Sequence, residues 1–306
     1  MDRSNEELIE TQCAICQKVA VDKELYPANF KSTDLTPEVF SARRLPDRLH
    51  YRIVRCEQCG LIRSNPVLKE EALSALYAKS QFTYEQESAF AANTYTRYFQ
   101  KALLHTIRPL NEMTLLEIGC GNGFFLEKIK SLGLREVFGV EPSQHAVEQS
   151  GEIKKRIYNG MFTSGLYPDE HFDVICVFQV FDHISRPNEF LSTCHRYLKK
   201  NGILLMINHN IGALTAKLLG RKCPMIDIEH PFLYDKKTFR KILEKNNFNV
   251  IRLFDVDNCY PLIYWLKLMP LPKALKGGLT GALEKTFLGK LPLKMSLGNM
   301  GIIARK

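Results

Sequence analysis

Two pairs of cysteines near the start of the chain have the spacing of a metal-binding site. Cys13 and Cys16 are two residues apart, as are Cys56 and Cys59, and Gly60 follows the second pair. Such a gap lets a tight turn aim both thiolates at one ion, and four thiolates form a closed tetrahedral site. We therefore predict that these four cysteines bind Zn²⁺ in a structural role, with a redox pair as the alternative. The five remaining cysteines stand singly and are predicted to be buried packing residues.

A glycine-rich turn near the middle of the chain has a different chemistry. Residues 114–118 form a predicted buried strand, alternate residues from Gly119 to Gly123 are glycines, and a predicted helix begins at Phe124. A second predicted strand ends at Glu141. This is the order of a βαβ unit that binds a nucleotide, with an acidic residue placed to hold ribose hydroxyls. A dinucleotide fingerprint would need glycine at the position of Phe124.

The residues around this turn resemble the class I methyltransferases that depend on S-adenosyl-L-methionine (SAM). Glutamate followed by three alternating glycines resembles the first motif of that family, and residues 171–178 resemble its fourth strand. Residues 179–187 resemble its Leu-Glu-His segment with Phe-Asp-His instead, and residues 203–207 resemble its fifth strand. The match covers residues 110–258 and the end of the chain. It implies an α/β enzyme with a Rossmann-like sheet of seven strands, helices on both faces, and SAM as the cofactor.

The resemblance also implies which residues hold the cofactor. Backbone N–H groups of the glycine turn would face the methionine moiety, and Glu141 would accept hydrogen bonds from the ribose. Met161 and Phe162 would contact adenine, while Phe178 and Gln179 would face the sulfonium end. The complete predicted set is Glu117, Gly119, Cys120, Gly121, Gly123, Glu141, Pro142, Met161, Phe162, Phe178 and Gln179.

Methyl transfer to a hydroxyl also requires a group that handles the acceptor proton, and histidines on loops after strands are candidates. His209 directly follows the fifth strand, whereas His183 belongs to a segment that more often packs. His230 and Tyr234 lie in a segment that resembles the Glu-His…Tyr-Phe segment of zinc-containing sugar methyltransferases, which borders the acceptor pocket. His230, His209 and Tyr234 are thus the catalytic candidates. Alternatively, His230 only fixes the loop before a helix capped by Asp235.

Three functions remain open at this point. The first is O- or C-methylation of a small molecule or of a nucleotide-sugar or glycan precursor, with a zinc module that shapes the acceptor site. The second is methylation of RNA bases, because residues 43–63 contain six arginines and the net charge is +9. Nucleic acid is the less favoured partner, since the fourth strand ends in Val-Phe-Gln-Val and lacks the Asn/Asp-Pro-Pro motif of nucleic-acid methylases. The third is a SAM sensor without catalysis.

The 306 residues are 45% hydrophobic and 25% charged, which is typical of a globular chain and excludes a disordered or coiled-coil protein. The sequence has no apolar run long enough for a membrane span and no apolar leader, so we expect a cytoplasmic protein. We predict a zinc-ribbon-like module (1–65), a helical connector or cap (66–105), a SAM-binding core (106–258), a helical insertion (259–297) and a final core strand (298–306).

The predicted insertion at 259–297 contains the only tryptophan, Trp265, and six lysines against one glutamate. One interpretation is a lid over the acceptor pocket or a contact in a homodimer; whether the protein is a monomer or a homodimer stays open. The other is peripheral contact with an anionic membrane, with Trp265 at the acyl boundary and lysines among the headgroups.

Overall fold

The computed structural model describes residues 8–17, 22–40, 48–80, 85–269, 273–284 and 286–306. Its strands are β1 (Leu8–Ile9), β2 (Asp22–Tyr26), β3 (Ile53–Cys56), β4 (Ile62–Ser64), β5 (Val67–Leu68), β6 (Thr114–Ile118), β7 (Glu136–Glu141), β8 (Ile157–Asn159), β9 (Phe172–Phe178), β10 (Leu198–His209), β11 (Phe232–Leu233), β12 (Asn249–Pro261) and β13 (Pro292–Arg305). Its α-helices are α1 (Glu70–Ala78), α2 (Glu85–Leu103), α3 (Phe124–Ser131), α4 (Gln144–Glu148), α5 (Pro187–Tyr197), α6 (Leu214–Leu219), α7 (Lys236–Lys245), α8 (Leu262–Leu268) and α9 (Lys273–Glu284).

A sheet of seven strands forms the centre of the fold, in the order β12-β13-β10-β9-β6-β7-β8. The strands from β10 to β8 are parallel, whereas β13 is antiparallel to both of its neighbours. Every residue of β6 and β9 is buried, as expected of central strands covered on both faces. The predicted fold class is confirmed.

Helices cover both faces of this sheet. On one face, α2 and α3 contribute Tyr95, Phe99 and Phe125 to a buried cluster. On the other face, α5 and α7 contribute Leu191 and Phe239 to a second cluster. Because the apolar residues of α7 recur at helical spacing, one side of that helix is buried.

A smaller antiparallel sheet of four strands, β11-β4-β3-β2, forms the N-terminal module. Its edge strand β11 comes from the second half of the chain and pairs Phe232 with Arg63 and Leu233 with Ile62. The predicted boundary at residue 65 therefore does not separate this sheet from the rest of the fold. Sequence patterns did not reveal β11, because a two-residue strand has no periodicity.

The closing hairpin of the large sheet is longer than predicted. Strand β12 continues to Pro261, and β13 begins at Pro292, which pairs with Pro261. The predicted limits of the insertion, 259 and 297, and the predicted start of the last strand at 298 are therefore wrong. Backbone pairing continues past them, and α8 and α9 lie between the paired prolines.

Trp265, in α8 of the insertion, is buried, with only 6% of its surface exposed. It packs with Tyr260 and Tyr264, and its indole N–H donates to the carbonyl oxygen of Leu293 at 2.9 Å. The expectation that Trp265 lies at the acyl boundary of a membrane is wrong, because the indole is already covered and bonded within the protein.

Other apolar side chains of this segment remain exposed, including Leu275, Leu279 and Phe287. Membrane contact through them stays a prediction. In the part of the chain that is described, no helix is both long enough and apolar enough to span a bilayer.

Arg63 is the buried cation of the small sheet, and its removal tests the stability of that sheet. Its guanidinium donates to both carboxylate oxygens of Asp22, at 2.8 and 2.5 Å, and is 1% exposed. We expect Arg63→Ala to lower the free energy of unfolding by about 3–5 kcal/mol, because the partner carboxylate loses its counter-ion. Urea unfolding of the whole chain measures this loss.

Arg52 provides the matched control, because it pairs with Glu24 on the same sheet but is exposed. Arg52→Ala should lower the free energy of unfolding by less than about 1 kcal/mol. Equal losses of unfolding free energy in the two variants would show that the buried ion pair stabilises the protein no more than the exposed one.

Candidate functional site

The glycine turn after β6 lies at one end of a cavity of about 1280 Å³. Gly119, Gly121 and Gly123 have φ values of +73°, +54° and +76°, in the left-handed region that favours glycine. A Cβ on Gly119 would lie 2.3 Å from the Val180 side chain, and a Cβ on Gly123 would lie 2.5 Å from that of Ile153. Only glycines allow this close turn.

Glu141, at the end of β7, is fixed by the glycine turn itself. One carboxylate oxygen accepts from the backbone N–H of Gly121 and the other from that of Ser143, both at 2.9 Å. A carboxylate oxygen accepts more than one hydrogen bond, so Glu141 keeps capacity for a ligand hydroxyl in the cavity. This geometry suits the predicted contact with a ribose.

Two further polar side chains at the cavity each have an atom that makes no hydrogen bond within the described residues. Oε2 of Glu117 and Oε1 of Gln179 are buried and have no hydrogen-bond partner among the described residues. Burial, together with the charge of Glu141, raises the pKa of Glu117 well above its usual range. Gln179 has φ +57°, an uncommon conformation that places strain at the end of β9. Unsatisfied polar atoms beside a glycine turn fit a polar cofactor such as SAM.

The other predicted cofactor residues fall into two groups. Pro142, Met161, Phe162 and Phe178 line the cavity with the residues above. The Cys120 side chain instead turns into the core, so that a Cβ on Gly139 would lie 2.6 Å from its sulfur. Gly123 is the N-cap of α3, behind the cavity wall. Cys120 and Gly123 thus do not line the cavity, and the binding roles of the whole predicted set stay predictions.

A buried carboxylate surrounded by three histidines lies at the other end of the cavity. Asp182 has no exposed surface, and its Oδ2 accepts from Nδ1 of His209 at 2.5 Å. Nε2 of His183 lies 3.8 Å from Oδ1, and Nε2 of His230 lies 3.9 Å from Oδ2. Burial alone raises the pKa of Asp182, but the charges of the histidines outweigh this and hold it below its ordinary value. We call these four residues the Asp–His cluster.

Three separate elements bring the Asp–His cluster together. Asp182 and His183 lie in a short turn after β9, and His209 is the last residue of β10, so neighbouring parallel strands end at the same edge. His230 precedes β11, and the small sheet fixes its position. The backbone N–H of Ser64 donates to the carbonyl of Pro231 at 2.8 Å, and the hydroxyl of Ser64 donates to that of His230 at 3.3 Å.

Tyr234, the third catalytic candidate, does not line the cavity. It is 1% exposed and its ring stacks on Phe181 at a centroid distance of 5.1 Å, within the core cluster that includes Phe239. The ring of Tyr234 therefore belongs to the core and does not line the cavity, and its catalytic role stays a prediction. His209 and His230 do line the cavity.

The cavity is continuous from the glycine turn to the Asp–His cluster. Tyr77 of α1 closes one side, and its hydroxyl lies 3.2 Å from Nδ1 of His183. Tyr260, Tyr264 and Trp265 form an aromatic wall on another side. Beside the predicted cofactor site, the fold thus provides a second compartment that is polar at its base and aromatic at its wall.

The four paired cysteines lie together, as their spacing predicted. Their sulfur atoms are all within 4.8 Å of one another, and those of Cys13 and Cys59 are 3.4 Å apart. Ligand sulfurs of a tetrahedral zinc site are separated by about 3.8 Å, given Zn–S bonds of about 2.3 Å. The thiol donor set therefore fits a zinc ion.

The cysteine cluster is joined to the large domain. The carbonyl oxygen of Ala14, between the first two cysteines, accepts from Nζ of Lys245 at 2.7 Å and from Nδ2 of Asn188 at 2.9 Å. These partners lie on α7 and α5. The first cysteine turn is therefore docked on the helices that cover one face of the large sheet.

Sequence reasoning missed Asp182 and Tyr77 as members of the site. The signal for Asp182 was present, since it occupies the acidic position of the Phe-Asp-His segment next to His183. Tyr77 gave no comparable signal, because it was one apolar position among several in a helical pattern.

Comparison with known proteins agrees with this geometry. A family model described as a methyltransferase domain matches residues 89–253, which is more than half of the chain. A ubiquinone biosynthesis O-methyltransferase of Caulobacter vibrioides is 32% identical over 145 residues, covering 44% of this chain and 56% of that protein. The protein of the same name from Caulobacter sp. strain K31 is 30% identical over 168 residues, covering 51% of this chain and 65% of its own length. The chain thus spans less than two thirds of these relatives.

Among solved structures, a SAM-dependent methyltransferase from Archaeoglobus fulgidus superimposes with a TM-score of 0.51 and 20% identity. The match covers 74% of this chain and all of that one. At this identity the similarity concerns the fold.

The carboxylate of Glu141 is the position to test in the cofactor site. We expect Glu141→Ala to weaken SAM binding roughly 10- to 150-fold, the equivalent of a lost charge-assisted hydrogen bond of about 1.5–3 kcal/mol. Calorimetric titration with SAM measures the change. Glu148→Ala, an exposed substitution on nearby α4, is the matched control and should leave affinity unchanged. Equal affinity in both variants would contradict the role of Glu141.

Proposed function

The chain belongs to the family of methyltransferase domains, and from this we propose that it transfers a methyl group from SAM to a hydroxyl oxygen of a small-molecule acceptor. When bound, SAM supplies an electrophilic methyl group. The residues of the chain hold the acceptor oxygen at the methyl end of the cofactor and exclude water from it. Two of the curated relatives are named O-methyltransferases, which supports oxygen as the methylated atom.

The observation that carries this proposal is the continuous cavity between the glycine turn and the Asp–His cluster. A hydroxyl beside His183, His209 and His230 would find hydrogen-bonding groups, and Gln179 lines the same cavity. The aromatic wall supports an acceptor with an apolar or flat face, such as a ring. A ring hydroxyl or a sugar hydroxyl both meet these requirements.

RNA as the acceptor has less support. Of the six arginines that suggested it, Arg63 is buried against Asp22 and Arg52 pairs with Glu24. Arg43 and Arg44 lie outside the described residues. The paired arginines are engaged within the module, so they offer less charge to a phosphate backbone.

We further propose that the cysteine cluster binds a structural zinc ion that holds the acceptor side of the cavity in place. Cys56 ends β3, which pairs with β4, and β4 pairs with β11, next to His230. An ion that fixes the cysteine turns would thus stabilise the small sheet that positions His230. The glycine turn has no part in this sheet.

Replacing Cys56 and Cys59 by serine together tests the zinc proposal. Cobalt(II)-loaded protein should show the intense thiolate-to-cobalt absorption of a four-sulfur site, and the double variant should lose it. The variant should also melt at a lower temperature, because binding of such an ion contributes to folding. Cys259→Ser, at a half-exposed cysteine outside the cluster, is the control. Unchanged cobalt absorption in the double variant would contradict the proposal.

The acceptor class is tested by turnover of the whole chain with methyl-labelled SAM. We expect label in a methyl ether when the acceptors are ring hydroxyl compounds or nucleotide sugars, and none when total RNA is offered. Gly121→Val, which fills the cofactor turn, is the inactive control. Label found in RNA alone, or on carbon or nitrogen in every product, would contradict O-methylation of a small molecule.

The aromatic wall gives a separate prediction for the acceptor. Tyr264→Ala removes a ring that lines the cavity, so we expect the acceptor KM to rise about tenfold, as for the loss of about 1.5 kcal/mol of apolar contact. kcat and SAM affinity should change little, because the contact acts on acceptor binding alone. Leu275→Ala, at an exposed position of α9, is the matched control. A fall in kcat without a change in KM would contradict the assignment.

A further inference from the structure

The two cysteine turns are held in different ways. The second, from Cys56 to Cys59, closes the hairpin of β3 and β4, and the backbone N–H of Cys56 donates to the carbonyl oxygen of Leu61 at 2.9 Å. The first, from Cys13 to Cys16, lies between β1 and β2 and is part of no strand. The first turn thus has no strand ladder to hold it beside the second.

Lys245 holds the first turn from the large domain. Its ammonium donates to the carbonyl oxygen of Ala14 at 2.7 Å, and Ala14 directly follows Cys13. The same oxygen accepts from Nδ2 of Asn188 at 2.9 Å, and Oδ1 of Asn188 accepts from the side chain of Asn246, also at 2.9 Å. A hydrogen bond from a charged donor is stronger than one from a neutral donor. Lys245 is the last residue of α7 and Asn246 is its C-cap, so the end of one helix fixes the turn.

The rest of α7 is fixed by contacts of its own. Its N-terminus is closed by a capping box between Asp235 and Thr238, and it buries Phe239, Ile242 and Leu243 in the core of the large domain. The helix begins shortly after β11, the edge strand of the small sheet. α7 therefore joins the two cysteine turns, because its beginning follows the sheet that carries the second turn and its end holds the first.

The charge of Lys245 suits the ion proposed for the cysteine cluster. Three of the four cysteines are buried, and a zinc ion with four thiolate ligands has a net negative charge, because the thiolates outweigh a divalent ion. A buried charge is costly unless nearby groups compensate it. Burial lowers the pKa of Lys245, and the charges of Cys13, Cys16 and Cys59 oppose that shift, so the ammonium lies within electrostatic range of these sulfur atoms.

We infer that Lys245 is a positioning residue of the zinc centre, which holds the first cysteine turn through the carbonyl of Ala14 and offsets the negative charge of the thiolates. Residues that contact the ligands of a metal, without binding it themselves, commonly control its affinity. The inference rests on the proposed zinc ion and is independent of SAM, of the acceptor and of methyl transfer. It makes the metal affinity of the N-terminal module depend on a residue of the matched methyltransferase domain.

The test starts from the whole chain loaded with Co²⁺, whose thiolate-to-cobalt absorption reports on the cysteine cluster alone, and titrates it with a chelator of known affinity. Lys245→Met keeps the length of the side chain but removes its charge and its donor, so we expect Co²⁺ binding to weaken about 10- to 100-fold. Lys245→Arg keeps both properties and should restore most of the affinity. Lys237→Met, at an exposed position of the same helix, is the matched control and should bind as the parent does.

Asn188→Ala separates the charge from the hydrogen bond, because it removes the neutral donor to the same carbonyl and leaves the ammonium in place. It should weaken Co²⁺ binding less than Lys245→Met does, and an equal or larger loss would overturn the role of the charge. Circular dichroism establishes that each variant is folded.

Equal Co²⁺ affinity in Lys245→Met and Lys237→Met, or an affinity of Lys245→Arg as low as that of Lys245→Met, would overturn the inference. A parent chain without thiolate-to-cobalt absorption would overturn the zinc proposal and this inference together. Intact absorption with equal affinities would overturn this inference alone. Because neither SAM nor acceptor is present, failure of O-methyl transfer would leave the result unaffected.

Discussion

The burial of one carboxylate, Asp182, governs the arrangement of the acceptor compartment. An anion with no exposed surface must be compensated by nearby groups, and here three histidines from three different segments provide the compensation. Each of those segments is in turn held by its own structure: a turn after β9, the end of β10, and the loop before β11. The polar base of the cavity thus depends on the small sheet as well as on the large one.

The sequence was most informative where chemistry requires particular residues close together along the chain. The glycine turn could be identified because the left-handed φ of Gly119 and the approach of Val180 exclude other residues. The cysteine pairs could be identified because two thiolates on one turn must be closely spaced. The mostly apolar segment 114–118 was apparent as a buried strand beside the glycine turn, and the segment of β9 could be identified from its resemblance to the family's fourth strand.

Features formed by residues distant in the sequence were not predictable in the same way. Strand β11 has two residues and is defined only by its pairing with β4, so no local pattern marks it. Tyr234 was a catalytic candidate, and the segment of Trp265 was interpreted either as a lid or homodimer contact or as a membrane contact. The stacking of Tyr234 on Phe181 and the hydrogen bond from Trp265 to the carbonyl of Leu293 could not be read from the sequence. The limits of the closing hairpin depend on backbone pairing, which resumes after an irregularity between Val256 and Asn258 and reaches Pro261 and Pro292.

The pairing of Arg63 with Phe232 has a consequence for how the chain reaches its native state. The two residues are more than half of the chain apart, so a new polypeptide contains β2, β3 and β4 long before β11 is available. Until then one edge of β4 is unpaired. Forming the contact with β11 closes a large loop, which costs conformational entropy. The small sheet thus cannot be complete until β11 is available, after β6 to β10 of the large sheet have been synthesised. Strands β2, β3 and β4 are therefore translated well before the strand that completes their sheet.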